Sequence, residues 1–109
     1  MRPSSSTPAP KPPSGPVSLL QTPKTRITFG PAFKTRLRHP VFRFADSTGQ
    51  AGTHFLCKLD RAGWTSCTSP IKLRKLSLGR HVFEVKGVNA IGVAESQPSK
   101  RPFKLVRVG

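Results

Sequence analysis

From residue 24 onward, apolar and polar residues alternate with a period of two, and this constrains the fold more than any other feature of the chain. Ile27 and Phe29 alternate with polar neighbours, and Phe42 and Phe44 flank Arg43. Phe55, Cys57 and Leu59 alternate with His54 and Lys58, with Leu56 breaking the pattern. Ile71 and Leu73 flank Lys72, Phe83 and Val85 flank Glu84, Phe103 and Leu105 flank Lys104, and Val106 and Val108 flank Arg107. Successive strand side chains point to opposite faces, so each run offers one apolar face to a core and one basic face to water. Turn-forming residues separate the runs at Gly30-Pro31, His39-Pro40, Ser47-Thr48-Gly49, Asp60 to Gly63, Ser69-Pro70, Leu78-Gly79 and Asn89 to Gly92. Their spacing of roughly ten residues is that of a sandwich or barrel. Helical periodicity is confined to a single turn at Leu73, Leu76 and Ser77. The expected fold is all-β, an antiparallel sandwich of about seven strands.

Residues 1–23 read differently. Seven of the twelve prolines fall there, interleaved with Ser and Thr. Proline removes backbone donors and favours polyproline II geometry, so this segment is expected to be a flexible linker, with the folded module over residues 24–109. No run approaches the roughly 20 apolar residues of a membrane span. Pro3 to Pro16 has no apolar stretch of the kind a secretory signal needs.

Charge narrows the partners. The chain has 19 Lys and Arg against four acids (Asp46, Asp60, Glu84 and Glu95), a net charge of +15. Only Arg2 and Lys11 of the basic residues lie in the linker, which leaves the module at +13. Such a surface attracts polyanions: nucleic acid, anionic glycopolymers or acidic lipid. The candidate binding residues are Lys34, Arg36 and Arg38, which share one parity, Lys72 and Arg74, which share another, and Arg43, Lys58 and Lys86 at outward strand positions. The plainer alternative is a solvated outer face. The Phe residues share parity with the core rather than with these charges, which favours non-specific phosphate or sulfate contact over base readout.

Catalytic and metal chemistry find little support. Ser66, His54 and Asp46 supply the residue types of a triad, but no nucleophile elbow surrounds any serine. The acids are scattered, and no Gly-rich loop opens a helix. His54, Cys57, Cys67 and His81 lack the close-spaced pairs of structural zinc sites. His81, in step with Phe83 and Val85, reads as a buried, hydrogen-bonded strand residue. No cofactor, metal or small-molecule substrate is expected, and no enzymatic activity.

Phe55 to Pro70 is the most informative segment. Asp60 to Gly63 forms a tight reversal that brings Cys57 back near Cys67, with Trp64 over or beside the hairpin. Cross-strand geometry permits a bridge, and closing so short a loop contributes roughly 3 kcal/mol. Two free thiols in a reducing compartment remain the alternative.

These residues resemble the bacterial immunoglobulin-like modules of secreted and cell-surface proteins. The likeness is carried by Phe55, Cys57, Leu59 and Asp60; by Gly63, Trp64, Cys67, Ser69 and Pro70; by Leu76, Gly79, His81, Phe83 and Val85; and by Asn89 and Gly92. Phe42 and Phe44 fit the preceding core strand. It implies a seven-strand sandwich, a Cys57–Cys67 disulfide, an extracellular or cell-surface location, and a structural or adhesive role beside neighbouring modules of the same protein, without catalysis. The chain departs from the family in its basic charge and in Val88-Asn89-Ala90-Ile91, where relatives carry an Asp-rich loop. A small basic cytoplasmic protein that binds nucleic acid is the second reading of the same charges.

Overall fold

A computed structural model describes residues 21–108. The linker expected over residues 1–23 therefore lies outside the described residues, apart from its last three positions. Within residues 21–108 the fold is all-β, with no helix, so no helix there is long and apolar enough to cross a membrane. The strands are β1 (Thr25–Phe29), β2 (Lys34–Thr35), β3 (Val41–Asp46), β4 (His54–Leu59), β5 (Thr65–Cys67), β6 (Ile71–Lys72), β7 (Gly79–Val88) and β8 (Ser99–Leu105). They form a three-stranded sheet, β1-β3-β6, and a five-stranded sheet, β2-β8-β7-β4-β5. All pairings are antiparallel except β2 with β8.

The two sheets pack through the aromatic residues that alternation placed inside. Phe42 of β3 stacks on Phe83 of β7 with ring centroids 4.1 Å apart, and lies 5.7 Å from Phe103 of β8. Phe44 meets the Phe55 ring edge-on at 5.0 Å. Cys57, Val85, Leu76 and Leu105 complete the buried cluster. Burying these side chains contributes about 1.5–3 kcal/mol each before the entropy of ordering the chain is subtracted.

Eight strands form where about seven were expected, because the periodicity of two cannot register a strand as short as β2. Val106 and Val108 fall outside β8, whose observed span starts at Ser99 instead. Pro102 is therefore inside a strand rather than at its start. It precedes the two-residue contact between β8 and β2, on a stretch where one side of β8 has no partner strand and a missing N–H costs little.

Module contacts also reach upstream of Lys24. Pro23 is buried, and a Cβ on Gly87 would sit 2.7 Å from the Pro23 side chain, so glycine at 87 lets the incoming chain cross β7. Glu95 fastens the same crossing by accepting hydrogen bonds from the N–H groups of Gly87 (2.7 Å) and Thr25 (3.2 Å). Asn89 is fully buried; its Oδ1 accepts from the N–H of Ile91 and Val93, and its Nδ2 donates to the Gln21 carbonyl. One side-chain amide thus organises the loop that follows β7.

Candidate anion-binding face

The outer face of the five-stranded sheet follows from register. Phe83, Val85, Phe103 and Leu105 are buried, so the residues alternating with them face solvent. Across β4, β7 and β8 this puts Lys58, Glu84 and Lys100 in one row, with Leu56 and Lys86 in the row beyond. Val82 and Pro102 form a neutral row, and Arg80, Lys104 and Lys34 form the next, across β7, β8 and β2. Six basic side chains share this face with one acid, Glu84, whose carboxylate lies 3.9 Å from the Lys58 ammonium.

Trp64 belongs to this face too. Cys57 is paired with Thr65, so Trp64 at the adjacent position points away from the core. The Lys86 ammonium sits over the indole, 4.3 Å from the ring centroid, and the Lys58 ammonium lies 5.2 Å from it. The electron-rich face of the ring attracts both cations and partly offsets their mutual repulsion. Trp64 therefore sits on the hairpin, as expected, but it serves the charged surface rather than covering the apolar interior.

The eight basic residues singled out from the sequence divide between surfaces. Lys34, Lys58 and Lys86 meet on the outer face of the five-stranded sheet. Arg43 and Lys72 lie on the opposite side of the sandwich, on β3 and β6, together with Arg26. Arg36 is exposed just beyond β2, and Arg74 is exposed in the β6–β7 connection. Arg38 is half-buried and donates from Nε to the Leu76 carbonyl at 2.8 Å, so it braces a loop. Arg80, Lys100, Lys104 and Trp64 join the candidate set. The parity of Arg80 and Lys104 against Phe83 and Phe103 was visible in the sequence; the side of Trp64 depended on the register of β5.

Cys57 and Cys67 form a disulfide with Cα atoms 5.8 Å apart. The bond joins neighbouring strands on the inner face of one sheet. It also rules out these cysteines as thiolate ligands, and among the described residues no group of three His, Cys, Asp or Glu side chains is placed to hold a metal ion.

His81 is buried, with Nδ1 2.7 Å from the Asp60 carboxylate and Nε2 2.8 Å from the Ser77 carbonyl. Both partners are acceptors, so the arrangement favours the imidazolium, which donates from both nitrogens. Burial opposes that charge, but the hydrogen bonds to Asp60 and Ser77 and the Asp60 charge outweigh it, raising the His81 pKa above 6.5. A raised folded-state pKa gives stability that is full below the unfolded value and lost as pH rises through the folded one. Thermal stability is therefore expected to fall as pH rises from the ordinary histidine value of 6.5 through the raised folded-state value. In Asp60→Asn, stability at the acidic end drops by about 1–2 kcal/mol and the slope flattens; melting curves across that range check it.

Asp46 shows the opposite shift. Burial would raise its pKa, but the N–H groups of Thr48 and Lys24 and the hydroxyls of Thr48 and Thr53 bring it below 3.8. With its oxygens committed to the β3–β4 turn, Asp46 has no free edge to orient a histidine. Comparison with known proteins adds no relative: no family model matches the chain, and no curated protein matches it in sequence.

Proposed function

We propose that the chain is a non-catalytic, immunoglobulin-like display or adhesion module of a bacterial secreted or cell-surface protein, held to anionic envelope polymers by its basic sheet face. The observation that supports this best is the outer face of the five-stranded sheet, where six cations meet a single carboxylate. A soluble domain needs charge for solubility, but it does not need one sign gathered on one face. The sheet orders β1-β3-β6 and β2-β8-β7-β4-β5 are compatible with the immunoglobulin-like likeness of the hairpin sequence. The Cys57–Cys67 bond suits an oxidising compartment. Display also fits the course of the chain. Gln21 lies beside Asn89 and Leu105 beside Gly79, at opposite ends of the ten-residue β7, about 30 Å apart.

The test is binding to immobilised poly(glycerol phosphate) in rising salt, with random-sequence single-stranded DNA in parallel. The reading expects binding to the glycopolymer that weakens steeply with salt, because each released counterion adds to the slope. Failure to bind it at low salt, or clear preference for DNA, overturns the reading; the second outcome moves the protein to the nucleic-acid class. Mass spectrometry without reductant is expected to show the bridged form.

A further inference from the structure

The cations on the five-stranded sheet are not evenly spread. Arg80 is the cross-strand partner of Lys104, and Lys104 is the cross-strand partner of Lys34. Like charges directly opposite one another destabilise a sheet, and no salt bridge relieves these three among the described residues. Stability alone gives no reason for such a row. The second group is organised differently. Lys58 and Lys86 converge on the Trp64 ring, and Lys100 lies across from Glu84. Only Lys58 of these has a carboxylate partner, so the ring holds Lys86 in place without neutralising it. The neutral Val82–Pro102 row separates the two groups. Along β7 the Arg80 row lies four residues from the row of Lys58 and six from Lys86, about 13 Å and about 20 Å.

Resting on the polyanion-binding reading above, we propose that this face grips one anionic polysaccharide chain at two points, the Arg80–Lys104–Lys34 row and the Lys58–Lys86–Trp64 group. A single strand of nucleic acid needs open aromatic faces on which bases stack. Trp64 is the only tryptophan of the chain, which has no tyrosine, and its ring is already engaged by two ammonium groups. Of the exposed phenylalanines, Phe29 lies on β1 of the other sheet and Phe33 alone adjoins the Lys34 row, too few rings for a run of stacked bases. What remains is charge at two fixed stations, which suits a saccharide chain bearing sulfate, phosphate or carboxylate groups. Two stations make binding depend on length. A fragment shorter than the gap engages one group, and a longer one engages both, with the second contact made at high effective concentration.

The experiment uses the full chain with heparin oligosaccharides of graded length, following affinity by calorimetry and occupancy of the Lys58–Lys86 group by Trp64 fluorescence. The expected result is weak binding of fragments too short to bridge the about 13 Å between the Arg80 and Lys58 rows, and a gain of at least about tenfold by the time the fragment spans the about 20 Å to Lys86. K58Q/K86Q and R80Q/K104Q are each expected to abolish that step; all four side chains are on the surface, so the fold survives. A smooth rise with length, or a step that persists in both variants, overturns the two-point grip while leaving polyanion binding intact. Tighter binding of single-stranded DNA than of heparin of equal charge also overturns it. No binding of any length removes both this inference and the reading beneath it.

Discussion

Phe42→Ala is expected to cost about 3–5 kcal/mol, close to the whole stability of a module this small. Phe42 is fully buried, and its ring joins the two sheets, stacked on Phe83 and against Phe103. Truncation leaves a hole between the layers that neither sheet can close without breaking its own ladder. Gly30 aggravates the loss: a Cβ there would lie 2.9 Å from the Phe42 ring, so the backbone is fitted to that ring and has no side chain to fill the gap. Urea unfolding is expected to show the midpoint collapsing with Phe42→Ala and falling only modestly with Phe42→Leu, which keeps most of the volume. Phe33→Ala is the control. Phe33 is 48 % exposed, and its truncation is expected to change stability by less than about 0.5 kcal/mol.

Opening the Cys57–Cys67 bond is the second large effect, at about 3 kcal/mol. The two residues are ten apart in sequence, and the link restricts the unfolded chain around the Asp60 to Gly63 turn. Without it, β5 has three residues and one neighbouring strand to hold it. Cys57→Ala/Cys67→Ala keeps the inner face apolar and so isolates the link. The double variant is expected to unfold at lower urea, and hydrogen exchange should rise first in Thr65 to Cys67. Because Trp64 precedes β5, loosening it also frees the indole from Lys58 and Lys86, and Trp64 fluorescence is expected to move towards that of exposed tryptophan.

Most strands with aromatic alternation were legible in the sequence: Phe42 and Phe44, Phe55 to Leu59, and Phe83 and Val85 all lie where their parity placed them, because each faces one core, whereas Phe29 falls beyond a register shift in β1 and is exposed. β2 was not legible, since two residues carry no periodicity and the strand depends on tertiary pairing for its existence, whereas β5 was expected only as the return arm of the hairpin that brings Cys67 to Cys57. Parity also showed that Arg43 and Lys58 point outward but not that they point to opposite sides of the molecule, because sheet membership is fixed by long-range pairing. Glu95 looked like one scattered acid; only the approach of Thr25 to Gly87 makes it a buried fastener. The grouping around Trp64 required the β4–β5 register, which alternation in a three-residue strand cannot supply.

The most direct measurement compares two triple variants with equal loss of charge. R80Q/K86Q/K104Q removes three cations from the five-stranded sheet, and R26Q/R43Q/K72Q removes three from the other side. If the five-stranded sheet is the binding face, the first variant loses at least about tenfold in affinity for long heparin while the second stays within about twofold of the parent. Equal losses would mean that affinity follows net charge alone, and that no face of this protein is a site.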